Sequence, residues 1–205
     1  MAIELKKRGE KIVLTKDERK SLGQITVNLN WNQKIEQASK GFFAKLLGGG
    51  NNSIDLDLGC LYELKNGTKG AVQALGNAFG SLSSQPYIQL DGDDRTGANS
   101  EGENLRINGD KVAEIKRILV YAFIYEGIPN WAQADGVVTL KRSNGEDIVV
   151  KMDEHDNGKI MCAIALLTNQ NDETFSFEKI VKYYNGHEAM DRDFNWGMKW
   201  KAGRK

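Results

Sequence analysis

The dipeptide Asn-Gly occurs five times in this chain of 205 residues, at Asn66-Gly67, Asn108-Gly109, Asn144-Gly145, Asn157-Gly158 and Asn185-Gly186. A type I′ turn needs positive φ at both central residues, so Asn-Gly is a strong local signal for a β-hairpin. Asp91-Gly92 and Asp135-Gly136 add two related turns. With 22 glycines and 2 prolines, the chain makes its turns from glycine. The segments between the turns read as strands. Ile25, Val27, Leu29 and Trp31 alternate with polar residues, as do Ile54, Leu56, Leu58 and Cys60. Ile118–Tyr125, Val137–Leu140, Ile148–Val150, Ile160–Leu167 and Ile180–Tyr184 complete the set. Short strands with turns at this spacing predict an all-β fold, a two-sheet β-sandwich with short helical insertions near Asp110–Ile115 and Gly186–Asp193.

The length suits a single domain over residues 1–205. One segment breaks the strand pattern. Between Gln33 and Leu47, the residues Ile35, Ala38, Phe42 and Leu46 recur at near-helical spacing, and Gly48-Gly49-Gly50 follows. Residues 33–50 are therefore expected to be an inserted amphipathic segment with a glycine tether. It reads either as a cap on the sandwich or as an element that meets a partner or membrane.

The bulk numbers remove several classes of function. Lys plus Arg equals Asp plus Glu at 28 each, so the chain lacks the basic excess of a nucleic-acid binder. The longest apolar runs are eight residues, against the about 20 that a spanning helix needs, so no transmembrane segment is expected. No apolar stretch follows the basic N-terminal residues, which points to a cytoplasmic protein. Cys60 and Cys162 each lie in an apolar run and read as buried free thiols. His155 and His187 lie near turns, and no nucleophile elbow, P-loop or GxGxxG is present. Trp131, Trp196 and Trp200 read first as core or edge-capping residues.

The chemistry concentrates in one stretch, Asp91-Gly-Asp93-Asp94-Arg-Thr-Gly-Ala-Asn-Ser-Glu101-Gly-Glu103. Five carboxylates against Arg95 give it a local charge of about −4. Such crowding is relieved by a bound cation. Calcium takes six to eight hard oxygen ligands, and a glycine-rich loop can turn its carbonyls toward one. Asn99, Ser100 and Asn104 add candidate oxygens. In Ile54-Asp55-Leu56-Asp57-Leu58, strand alternation sends the apolar residues one way and Asp55 and Asp57 the other, with the carboxylates roughly 7 Å apart. That face is either a half-site for metal or a solvated acidic surface. Glu126, at the end of the longest apolar strand, is a further candidate ligand, and Asp135 a weaker one. The EF-hand pattern fails, because the fifth position counted from Asp91 is Arg95 and the sixth is Thr96.

The run Leu90-Asp-Gly-Asp-Asp-Arg-Thr-Gly97, the following Glu101-Gly-Glu103-Asn-Leu-Arg-Ile-Asn108 and the Asp55-Leu-Asp57 strand resemble the TerD-type domain of bacterial tellurium-resistance and stress-response proteins. Ile118-Leu-Val-Tyr-Ala-Phe-Ile-Tyr-Glu-Gly127, with Pro129-Asn-Trp131, is similar to the TerA branch of that family. The resemblance implies a calcium-binding β-sandwich without established enzymatic activity. It implies one or two Ca2+ ions held among Asp55, Asp57, Asp91, Asp93, Asp94, Glu101, Glu103 and Glu126. It also implies assembly with related Ter proteins, peripheral at the inner membrane. The chain departs from the family pattern at Asp94, where asparagine is commoner, at Ala98-Asn99-Ser100 and in the 33–50 insert.

Three classes of function follow. A calcium-binding stress-response module is preferred. A carbohydrate- or small-ligand-binding sandwich, with Trp131 and the acidic stretch forming a pocket and calcium structural, is the alternative. An enzyme that uses the carboxylates for hydrolysis is third, because mutually repelling carboxylates in one loop suit a cation better than the open cleft of a glycosidase, and a metal-dependent phosphoesterase is the form of it that stays open.

Overall fold

In the computed structural model, the residues described are 2–16, 21–32, 54–91, 102–126, 130–143 and 145–201. The inserted segment at 33–50 falls outside them. Two sheets stack face to face. The first contains β1 (Ala2–Leu5), β3 (Gln24–Asn30), β6 (Gly80–Ser81), β7 (Ile88–Leu90), β8 (Glu103–Asn108), β10 (Val137–Arg142) and β11 (Asp147–Lys151). Their order is β1-β11-β10-β3-β8-β7-β6. The second contains β2 (Lys11–Val13), β4 (Asp55–Leu64), β5 (Lys69–Val72), β9 (Ile115–Glu126), β12 (Met161–Gln170) and β13 (Thr174–Tyr184), in the order β2-β13-β12-β9-β4-β5. The described pairings are antiparallel except that of β1 with β11. The expected two-sheet sandwich is the observed fold.

Alternation explains the first sheet. In β8, Leu105 and Ile107 point inward, while Asn104 and Arg106 are partly exposed. The second sheet does not alternate in this way, because both its faces are covered. Leu56, Leu58, Val120 and Ala122 pack between the sheets. Leu61, Leu119, Tyr121 and Phe123 form a second buried cluster on the opposite face. That outer cluster is roofed by α2 (His187–Asp193) and the chain after it, through Met190 and Trp196. Burial on both faces is why β9 reads as a nearly continuous apolar run.

The roof is pinned by polar contacts. Asp191, 4% exposed, accepts hydrogen bonds from Gly197 N (2.8 Å), Met198 N (3.0 Å) and Trp200 Nε1 (3.0 Å). The Arg117 guanidinium lies 3.8 Å from the Trp196 ring centroid and donates to the Phe194 and Asn195 carbonyls. Trp196 donates its own indole N–H to Tyr62 O.

The Asn-Gly dipeptides have mixed uses. Asn66-Gly67 turns the β4–β5 hairpin. Asn108 instead caps a 3-10 helix at Gly109–Glu114, its side chain accepting from Asp110 N. Gly186 precedes α2, and Asn157-Gly158 sits in the long passage from β11 to β12, which crosses between sheets. Residue 144 lies outside the described set. Conversely, the β12–β13 hairpin has no glycine. Asn171 and Asp172 take φ of 56° and 61°, and Glu173 N bonds Gln170 O. Asx side chains tolerate the left-handed region well enough to replace glycine there.

Candidate functional site

The acidic residues enter the fold on β4. Leu56 and Leu58 fill the space between the sheets, so the intervening Asp57 points to the outer face, opposite Phe123 in the β4–β9 ladder. Asp57 has no exposed surface, and Asp55 is half-buried. The reading of this face as a solvated acidic surface is therefore replaced by a buried one. A carboxylate taken out of water is costly unless it meets cations or donors, which makes this strand end a candidate site. The neighbouring Gly59 leaves room for the Tyr121 ring, because a Cβ there would lie 2.7 Å from Tyr121 Cε2. Tyr121 is fully buried and donates its hydroxyl to Gln73 Oε1 at 2.6 Å. Burial, followed by the nearby Cys60 and Asp57 charges, pushes its phenol well above the usual range.

A second carboxylate reaches β4 from the other sheet. β5 pairs only with Cys60–Glu63, so among the described residues no strand covers the outer edge of Asp55–Gly59. Leu58 N–H is satisfied there by Glu103 Oε2, at 2.6 Å. Glu103 opens β8 and is 5% exposed. Its neighbourhood is tied down on each side. Asn28 Nδ2 donates to Asn104 Oδ1 (3.0 Å), Asp91 N donates to Asn104 O (2.9 Å), and Trp31 Nε1 donates to Ile54 O (3.0 Å). Gly102 enters β8 at φ 73°, and a Cβ there would lie 2.0 Å from Leu29 O, so only glycine fits.

The predicted site residues thus fall as follows. Asp57 and Glu103 are buried on and beside the first half of β4. Asp55 faces Glu126 across the ladder, at a register shift on β9 that marks a β-bulge. Glu126 is the last residue of β9. Asp91 follows β7 and forms a bidentate ion pair with Arg106, from Nε at 2.7 Å and Nη2 at 2.6 Å. Hydrogen bonding to Asp91 raises the Arg106 guanidinium further. Asp93, Asp94 and Glu101 lie outside the described residues, in the segment that joins β7 to β8. Among the described residues, no three His, Cys, Asp or Glu side chains gather in a metal-binding group. Asp135 is exposed and ends α1 (Trp131–Ala134) in the left-handed conformation at φ 44°.

Trp131 and His187 both lie in packed surroundings. Trp131 is 1% exposed, donates its indole N–H to Lys159 O and packs edge-on against Tyr183. A ring so enclosed is the core residue first read from the sequence, and among the described residues it offers no surface to a ligand. His187 belongs to the outer-face cluster, against Tyr121, Phe123 and Trp200, and lines a cavity beneath α2. Sequence reasoning missed that cavity, because its walls come from the chain after β5, from α2 with the turn before it, and from the chain after α2.

Residues 1–187 match the TerD domain family. Tellurium resistance protein TerA from Alcaligenes sp is 45% identical over 196 residues, which is 96% of this chain and 57% of that protein. Stress response protein SCP2 from Bacillus subtilis (strain 168) is 37% identical over 129 residues, 62% of each chain. This chain therefore spans 57% and 62% of the lengths of these two relatives. A solved homologue of telluride resistance protein (TerD) from Streptomyces coelicolor A3(2) superposes with a TM-score of 0.53 at 15% identity, over 83% of this chain and 95% of that one. That likeness speaks to the fold. With the family match running over nearly the whole sandwich, the chain belongs to the TerD-domain family, whose named members include tellurium-resistance and stress-response proteins.

Proposed function

We propose that this protein is a non-catalytic calcium-binding module of tellurite resistance and stress response. The observation that supports the reading best is the burial of two carboxylates at neighbouring places on β4, Asp57 itself and Glu103, which accepts from Leu58 N, with the acidic segment 92–101 leading from β7 into the start of β8. The donor set suits a hard cation. It is built from carboxylate oxygens on short anchored elements, and neither described histidine belongs to it. Asp55, Asp57, Glu103 and Glu126 would supply the sandwich side of the site, and Asp93, Asp94 and Glu101 the segment side. Asp91, held by Arg106, would anchor the start of that segment. The ion would offset the repulsion of the cluster and fix the segment against β4. The surface so ordered would serve assembly with related Ter proteins, a role that rests on the family.

Thermal denaturation tests the reading. A ligand that binds only the folded state at about 100 times its Kd stabilises by about 2.7 kcal/mol. For a chain of this size that raises Tm by about 5–11 °C. Chelated protein should gain such a shift when millimolar calcium is restored, as should Glu114→Gln, an exposed carboxylate at the opposite end of β9 from Glu126. The Asp93→Asn, Asp94→Asn double variant should lose it. No shift in the parent protein would overturn the proposal, and an equal shift in the double variant would overturn the ligand assignment.

A further inference from the structure

The outer-face cavity has the construction of a binding site and shares no residue with the acidic cluster. Its volume is about 510 Å³, within the size range of small-molecule pockets. The wall is a fixed polar chain. Gln73 Oε1 accepts from Tyr121 Oη at 2.6 Å and lies 3.0 Å from His187 Nε2. A carbonyl oxygen only accepts, so His187 carries its proton on Nε2 and presents Nδ1 as an acceptor. Burial lowers the His187 pKa to about 4, which keeps the imidazole neutral. The Asp191 carboxylate folds the following chain back, so that the Trp200 ring lies 4.6 Å from the His187 ring. Trp200 and Leu75 add flat and apolar lining.

Several of the described arginines are committed to carboxylates. Arg8, Arg106 and Arg117 each meet a carboxylate, Glu154, Asp91 and Glu63 respectively. Arg192 and Lys201, both lining the cavity and both exposed, pair with no carboxylate among the described residues. Glu188 is the one carboxylate among the described lining residues. Two uncommitted cations beside an aromatic ring and an apolar wall match one chemical class of occupant.

We propose that this cavity binds a small organic anion with a planar body, the phosphate or carboxylate meeting Arg192 and Lys201 and the ring lying against Trp200 and Leu75. Aromatic stacking and charge-assisted hydrogen bonds would act together, each of them weak in an open pocket.

Ligand-observed NMR titration of the full chain in chelator tests this, with adenosine monophosphate and salicylate as the phosphate and carboxylate probes and adenosine as the uncharged comparison. The chelator separates the result from the calcium reading. At least one anionic probe should bind saturably with a Kd below about 10 mM, and adenosine more weakly. The Arg192→Ala, Lys201→Ala double variant should lose at least about tenfold in affinity, and Lys141→Ala should bind as the parent does. Both substituted positions are exposed and unpaired, so the fold should survive their loss. Absence of saturable binding by both anions, or equal binding by the double variant, would overturn the proposal.

Discussion

Asp191 is the hinge pin of the outer layer, and its removal has a calculable cost. The carboxylate accepts from three donors, with Gly197 N on Oδ1, and Met198 N and Trp200 Nε1 on Oδ2. Hydrogen bonds to a charged acceptor contribute about 1.5–3 kcal/mol each, and the cost is greatest when the abandoned donors stay buried. Here the donors sit on a surface segment that can regain water once it peels away. Asp191→Ala should therefore destabilise by about 3–5 kcal/mol rather than by the full sum. At 2–4 °C per kcal/mol, Tm should fall by about 6–20 °C. Asp191→Asn separates the bonds. An amide oxygen in the Oδ2 position keeps two donors but sets an NH2 against Gly197 N–H, a loss of about 1.5–3 kcal/mol. Urea unfolding followed by tryptophan fluorescence measures both variants. A loss below about 1 kcal/mol for alanine, or equal losses for the two variants, would refute the claim that this carboxylate organises the segment.

Two further predictions rest on single positions. Gly102→Ala should cost about 2 kcal/mol or more and weaken calcium binding, because it forces Leu29 away at the mouth of β8. Gly67→Ala, also at positive φ but with nothing within 4 Å of a Cβ, should cost only about 1 kcal/mol and leave calcium affinity unchanged, both readable by urea melts and calorimetry. His187 sets an acid limit. Its folded pKa of about 4 lies below the unfolded 6.5, so the folded state favours the neutral ring. That contribution is full above pH 6.5 and is lost as pH falls toward 4, on the order of 3 kcal/mol in all. His187→Gln should flatten stability over that interval relative to the parent, and an unchanged pH profile would contradict the assignment.

The sequence made the sandwich legible because long strands carry strong patterns. β9 and β12 appear as apolar runs, and β3 and the start of β4 as alternation. The shorter strands β5, β6 and β7 were not legible, since Gly80-Ser81 and Lys69-Gly-Ala-Val72 carry almost no periodicity and are held by neighbours. At Asn108-Gly109 and Asn185-Gly186 the residues that favour hairpins instead begin the short helices expected near Asp110–Ile115 and Gly186–Asp193. At the acidic site, residue types identified the candidates, but alternation alone could not show that Asp57 is buried. That burial depends on how β4 sits in the folded sheet, with Asp57 opposite Phe123 of β9, a strand far away in sequence. Asp91 is similar. Its place in the acidic run suggested a ligand, whereas its bidentate bond to Arg106 depends on β7 pairing with β8. The cavity under α2 had no local signature, because Gln73, His187 and Trp200 meet only after the chain folds back.

In the proposed function, the carboxylates around β4 and the β7–β8 connection hold calcium. Calorimetric titration of calcium into chelator-stripped protein, with metal analysis of the product, tests it most directly. Saturable binding of one or two ions per chain is expected, lost in the Asp93→Asn, Asp94→Asn variant and kept in Glu114→Gln. A parent protein that takes up no calcium, or a double variant that binds as the parent does, would contradict it.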